Sequence, residues 1–242
     1  LKIAGIEKCS FVDYPGKLAA VVFVPGCNWN CFYCHNRLLL QGQAAQIRLS
    51  VEEVLGLLTS RRGLLDAVVV TGGEPTLQAG LPNFVARVRE LDYLVKLDTN
   101  GTRPDVLGAL LGEGLVDYVA MDVKAPMEKY EAVVGVPVNY KALNESIDLI
   151  MGSGVEHEFR TTVAPQLTHA DVAAVARRIA GAKRYVLQQY RRPEEGLSDD
   201  PRLEAPPHPA TWPAAVVEEI ERYVERCDTR GFELAAEAET AA

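Results

Sequence analysis

The chain has 242 residues, 48% of them hydrophobic and 24% charged, with a formal net charge of −8. That balance suits one globular α/β domain with an adequate core. The acidic excess, with no Lys/Arg cluster beyond a pair, argues against nucleic-acid and membrane-surface binding. No apolar run approaches the length of a membrane span. Five cysteines without a signal-peptide pattern lead to the expectation of a reducing cytoplasm.

Leu1 to Tyr14 reads as a short apolar lead-in, and Asp13-Tyr14-Pro15-Gly16 as a turn. Cys9 reads as an ordinary semi-buried residue. Val21 to Val24 is a β-branched, aromatic run typical of a buried strand. It delivers a loop that carries Cys27, Cys31 and Cys34 in a C-x3-C-x2-C spacing. Thiolates bind soft metals, and a [4Fe–4S] cluster normally takes four cysteines. Three would leave one iron open to a small molecule. Zinc is the competing reading, although a structural zinc site usually pairs two C-x2-C halves or adds histidines at helical spacing, and His35 abuts Cys34. An odd cysteine count disfavours a disulfide framework.

Ser50-Val51-Glu52-Glu53 is a capping box that opens a helix to about Ser60. Ala67 to Val70 forms a second strand running into Thr71-Gly72-Gly73-Glu74-Pro75, where paired glycines admit a close approach to the backbone. Pro75 biases Glu74 towards an extended conformation, which should expose its carbonyl and carboxylate. Helix Leu81 to Glu90 leads to strand Leu94 to Leu97 and the segment Asp98-Thr99-Asn100-Gly101; Pro104 opens the next helix. Strand Tyr118 to Met121 ends in Asp122-Val123-Lys124. A helix from about Tyr140 to Met151 precedes strand His157 to Val163, Thr168 to Asp171 caps a further helix, and Tyr185 to Gln188 is the sixth strand. Six strands alternating with helices predict a parallel sheet, and six units suggest a partial (β/α)6 barrel with its polar strand ends gathered on one edge.

Arg191 to Pro213, with six prolines, reads as a surface loop that is either functional or mobile. Val216, Val217, Ile220, Tyr223, Val224 and Cys227 trace one helical face, and Phe232 with Leu234 suggests a short last strand. The domain is read as residues 1–234, with a core of about 18–190 and a frayed tail at 235–242.

The cysteine spacing, with an aromatic before its last member, resembles the radical S-adenosylmethionine (SAM) superfamily. The longer run from Ser10 to Asn36, SFVDYPGKLAAVVFVPGCNWNCFYCHN, resembles the activases of glycyl radical enzymes, and most closely the long-form activating proteins of anaerobic ribonucleoside-triphosphate reductase. That resemblance implies a partial (β/α)6 barrel of radical SAM type. It implies a [4Fe–4S] cluster held by Cys27, Cys31 and Cys34, with SAM chelated to the open iron. One electron from the cluster would break the C5′–S bond, and the resulting 5′-deoxyadenosyl radical would remove hydrogen from a glycine Cα of a partner enzyme. A flavodoxin- or ferredoxin-type protein would supply the electron.

The residue roles implied by the resemblance are these. Tyr33 sits beside the adenine and His35 packs near the cluster. Gly72, Gly73 and Glu74 bind the SAM ammonium, and Lys124 reaches SAM, the alternative for it being a salt bridge at the barrel rim. Arg160 either contacts the SAM carboxylate or pairs with a rim acid. Gln188 stands where some activases have a histidine near the ribose, so that contact is in question. Asp13 lines the opening for the partner's glycine loop. Asp98 and Asp122 lie at neighbouring strand ends and would repel unless a cation lies between them. Lys124 could serve; the resemblance to pyruvate formate-lyase activase implies instead a monovalent cation touching Asp98, Thr99 and Asp122, with the Ala120 carbonyl as a further ligand. Alternative readings are a formate-lyase-type activase, a small-molecule radical SAM enzyme such as a deazapurine synthase, an Fe–S electron-transfer protein and a zinc-stabilised interaction domain.

Overall fold

The computed structural model describes residues 1–40, 49–193, 198 and 200–232. Its strands build one sheet in strict chain order: β1 (Gly5–Ser10), β2 (Ala19–Val24), β3 (Ala67–Gly72), β4 (Leu94–Thr99), β5 (Tyr118–Asp122), β6 (Glu156–Val163), β7 (Tyr185–Gln189) and β8 (Cys227–Arg230). The six expected strands are β2 to β7, and all neighbours from β2 to β8 pair in parallel. The crossovers contain α2 (here numbered as the second helix after α1, Arg37–Leu40) at Val51–Ser60, α3 at Leu81–Arg89, α4 at Pro104–Gly112, α5 at Met127–Val134, α6 at Tyr140–Gly152 and α7 at His169–Arg178. The α2 capping box forms as expected, and Thr168 and Asp171 make a second at α7. Helix α5 had no sequence expectation; it is short and stops at Gly135, whose φ of 71° ends the helical path.

Two edges depart from expectation. The apolar lead-in contains β1, which pairs antiparallel with β2 from Gly5 opposite Phe23 to Ser10 opposite Ala19. Its exposed Glu7 and Lys8 interrupt any alternation that would have announced it. The turn that joins the two strands lies one residue later than read: Lys17 N donates to the Tyr14 carbonyl (3.2 Å), with Pro15 then Gly16 (φ 70°) at its centre, as a type II turn requires. At the other edge, the helical face from Val216 to Cys227 yields only one turn, α8 (Val217–Ile220). Val216, Ile220 and Val224 are buried as their spacing predicts. Cys227 instead starts β8 opposite Tyr185, because the open flank of β7 offers backbone pairing that a longer helix would forfeit. Among the described residues the last strand is β8; Leu234, of the strand expected with Phe232, and the 235–242 tail lie outside the described residues.

The sheet's two faces differ in chemistry. Outward residues such as Val68, Val70, Leu97 and Val119 pack beneath the helices. On the concave face, Ala19, Val21, Ala67, Val69 and Ala120 surround Tyr14 and Tyr118. The strand register places Lys96, Asp98, Asp122, Glu158 and Arg160 on this same inner face. The interior of the open barrel is therefore small and apolar along β2 and β3, and charged from β4 to β6.

Within the Pro-rich segment, the described part includes a 3-10 turn at Pro201–Glu204. Arg202 is held by Asp200 (2.6 Å) and lies 4.2 Å over the Phe32 ring, which belongs to the cysteine loop. Further on, Trp212 stacks between His169 (4.2 Å) and His208 (4.7 Å). These contacts fix the segment against the site and the start of α7.

Candidate active site at the C-terminal ends of the strands

Parallel strands bring their C-terminal ends to one edge, and there Cys27, Cys31 and Cys34 line a cavity of about 260 Å³. Tyr33, His35, Gly72, Gly73, Glu74, Asp98, Thr99, Asp122, Lys124, Arg160 and Gln188 line it too. Ala120, whose carbonyl was expected as a further cation ligand, does not line it and packs in the apolar interior. Asp13 does not line it either. It lies in the β1–β2 connection beside Ser10 and Tyr14, at the N-terminal end of β2, a full strand length from the cysteine loop.

The two glycines hold the cysteine loop itself. A Cβ on Gly73 would sit 1.9 Å from the Gly26 carbonyl oxygen, and one on Gly72, whose φ is 115°, 2.6 Å from Val24 backbone atoms. With hydrogen there instead, Gly73 N donates to Val24 O and Glu74 N to Gly26 O, each at 2.8 Å. Asn36 Nδ2 adds a bond to the Gly72 carbonyl (2.9 Å). The close approach expected at this pair is thus made by the chain's own backbone.

Glu74 is extended as Pro75 demands (φ −122°, ψ 108°), but its carboxylate is not exposed. It is buried and accepts from Thr76 N (3.0 Å), the Thr76 hydroxyl, the Thr99 hydroxyl (2.8 Å) and Asn100 N (2.6 Å). Burial nevertheless raises its pKa, against these four bonds. The expected exposure of the carboxylate is corrected accordingly: Glu74 joins the β3 loop to the β4 loop from a buried position at the cavity wall.

Asp98 and Asp122 do lie together, and the Arg160 guanidinium bridges them, Nε to Asp122 at 2.9 Å and Nη1 to Asp98 at 3.1 Å. Lys96 binds Asp98 (2.6 Å) and Lys124 binds Asp122 (2.9 Å). Burial pushes the two carboxyls up, yet Arg160 and the lysines outweigh it: Asp98 falls below its ordinary range and Asp122 to about 2. The repulsion from which a monovalent cation was inferred is met by three protein cations. Thr99 also points away from the pair, since alternation along β4 turns its hydroxyl to Glu74. Lys96, fully buried within the strand run, was missed because its neighbours read as a hydrophobic strand.

The donor set fits a cluster. All three cysteines are free. Burial pushes Cys27 up to about 12 and raises Cys31 and Cys34; a coordinating metal deprotonates such thiols outright. The Tyr33 hydroxyl, at the same cavity, is buried with no hydrogen-bond partner, and Lys124 lies 6.0 Å from its ring. Among the described residues no three His, Cys, Asp or Glu side chains close on a single ion. The three thiols line one common cavity. The radical SAM superfamily model matches residues 21–179, more than half of the chain.

The chain belongs to the radical SAM superfamily. Membership implies a [4Fe–4S] cluster and SAM at this cavity. A Methanocaldococcus jannaschii protein bearing the provisional name glycyl-radical enzyme activating enzyme is 36% identical over 206 residues, 82% of this chain and 83% of its own length. A 7-carboxy-7-deazaguanine synthase of Methanopyrus kandleri is 33% identical over 132 residues, 47% of this chain and 52% of its own. Among solved structures, Streptococcus suis SuiB bound to its precursor peptide SuiA superposes with a TM-score of 0.69 at 12% identity, over 87% of this chain and 48% of SuiB. That likeness carries the fold alone, and this chain spans about half the length of SuiB. No helix among the described residues is long and apolar enough to cross a membrane.

Proposed function

We propose that this radical SAM enzyme is an activase that takes a hydrogen atom from a glycine Cα of a partner glycyl radical enzyme, with anaerobic ribonucleoside-triphosphate reductase as that partner. The observation that carries the reading is the meeting of three unpaired thiols, buried at Cys31 and half-buried at Cys27 and Cys34, with the β3 to β6 strand ends in one cavity. The near full-length likeness to a named activating enzyme supports the activase class. When bound, the cluster supplies the electron that cleaves the SAM sulfonium.

This chain's residues do the rest. Arg160 and Lys124 are the two cations that line the cavity and can reach the SAM carboxylate, held in place by Asp98 and Asp122. The Gly72 and Gly73 backbone faces the ammonium, Tyr33 offers a ring and an unpartnered hydroxyl to the adenine side, and Gln188 lines the wall from β7. A buried floor excludes water from a reactive radical. Tyr14, whose ring packs 5.5 Å from Tyr118, closes the N-terminal end of the barrel together with Ala19, Val21, Ala67, Val69 and Ala120. The glycine loop therefore enters from the C-terminal edge, where the cysteine loop and the strand ends line the cavity, and not past Asp13. A flavodoxin- or ferredoxin-type reductant and a cytoplasmic setting belong to the same proposal.

The test is anaerobic reconstitution, reduction, addition of SAM and of each partner in turn, and electron paramagnetic resonance. A glycyl doublet with the reductase and none with pyruvate formate-lyase is the expected result. The reverse pattern transfers the partner to the lyase. SAM cleavage without a doublet in either leaves a small-molecule enzyme.

A further inference from the structure

Asn100 is the residue of the β4 loop for which the functional reading has no use. It is buried, and its side-chain amide is locked in orientation. Its Oδ1 accepts from Thr102 N (3.0 Å) and the Thr102 hydroxyl (2.7 Å), which turns its NH2 group towards the cysteine loop. There Nδ2 donates to Asn28 Oδ1 (2.8 Å) and to the Cys27 sulfur (3.8 Å). Asn28 Nδ2 closes the ring on the Thr102 hydroxyl (2.9 Å). Trp29 N reaches the same sulfur at 3.4 Å. The backbone of Asn100 is in turn fixed by Glu74, which accepts its N–H at 2.6 Å.

We infer that Asn100 is a positioning residue that tunes the cluster's reduction potential by donating an N–H to the Cys27 thiolate, and that Glu74 serves the site by holding Asn100 in place. The inference rests on the cluster reading above. Hydrogen bonds to cluster sulfurs are one of the levers that set Fe–S potentials. The reduced cluster carries one more negative charge than the oxidised one, so a donor stabilises it more. A chain of residues thereby runs from the β3 loop through Glu74 and Asn100 to a single thiolate. Of the three cysteines, Cys27 is the one to which a side-chain N–H donates among the described residues.

The test is redox potentiometry on reconstituted protein, followed by the electron paramagnetic resonance signal of the reduced cluster. Iron and sulfide content and the absorption of the unmodified protein are measured first. Asn100→Leu removes both N–H donors at similar volume. The expected result is a midpoint shifted to lower potential, with the reduced-to-oxidised ratio at fixed potential falling about tenfold, which is about 59 mV for one electron. Thr102→Val leaves Asn100 intact but removes the hydroxyl that donates to its Oδ1 and accepts from Asn28 Nδ2, which loosens the amide, and a smaller shift of the same sign is expected. If Asn100→Leu does not fold, Thr102→Val decides alone. An unchanged or raised midpoint in fully loaded variants overturns the inference. Absence of a cluster from the unmodified protein overturns the functional reading, a result visible before any midpoint is measured.

Discussion

The two ends of the barrel are made from the same strands and treat polar groups in opposite ways. At the N-terminal end Glu158 is fully buried and satisfied: Arg230 holds it with both Nη atoms (3.1 and 2.7 Å), and the Tyr118 hydroxyl donates at 3.2 Å. Tyr14 and Tyr118 fill the remaining space. At the C-terminal end the thiols of Cys27, Cys31 and Cys34 and the Tyr33 hydroxyl face a cavity, and the ion group below them leaves one positive charge in excess. A closed network costs little to bury, whereas unsatisfied groups cost free energy unless a ligand completes them. The difference marks which end is built for folding and which for binding.

Substitutions at the two ends should separate stability from activity. The largest effect is expected from Cys27→Ser, Cys31→Ser and Cys34→Ser, each of which should bring reductive SAM cleavage to background without lowering the apoprotein's melting temperature. Cys9→Ser and Cys227→Ser should retain activity, because Cys9 lies on β1 and Cys227 on β8, away from the cavity. Full cleavage by any of the first three would break the comparison.

Next in size, Glu158→Leu should cost about 3–5 kcal/mol, the range for breaking a buried ion pair and leaving its arginine unpaired. Thermal or urea unfolding of the apoprotein measures it. Cleavage per folded, cluster-loaded molecule should stay unchanged; a selective loss of cleavage would mean that the floor takes part in the chemistry.

Acid should reveal the same contrast. The Asp122 carboxyl is held at about 2, below its ordinary value, and Asp98 is lowered as well. Depressed carboxyls contribute stability that is present above the unfolded pKa and is lost as pH falls through the folded one. Apoprotein stability should therefore fall from about pH 4 down to about pH 2, and Arg160→Met should flatten that slope. Equilibrium unfolding across this range is the measurement.

The smallest effect is expected at Arg202→Ala, which removes the guanidinium over Phe32. A partly exposed cation–π contact is worth about 0.5–1 kcal/mol. The melting temperature should move little, while air oxidation of the reconstituted cluster, followed by loss of its visible absorption, should quicken as the cysteine loop loosens. An unaltered oxidation rate would show that the Pro-rich segment does not restrain that loop.

The sequence by itself determined the parallel core and the cysteine loop, because both depend on local patterns: β-branched runs for β2 to β7, the capping boxes at Ser50 and Thr168, and three thiols within one short loop. The strand-end rule then brought Lys124, Arg160 and Gln188 to the right edge. Only the tertiary structure decided what those polar groups do to one another. Glu74 faces Thr99 and Asn100 instead of solvent, Arg160 takes the place foreseen for a metal ion, Lys96 sits buried on Asp98, and Cys227 leaves a helical face to pair with β7. Each outcome depends on a partner 25 or more residues away or on pairing across strands, except Lys96, whose partner is two residues along the same strand. Periodicity can say which face a side chain takes, but not which charge will meet it there.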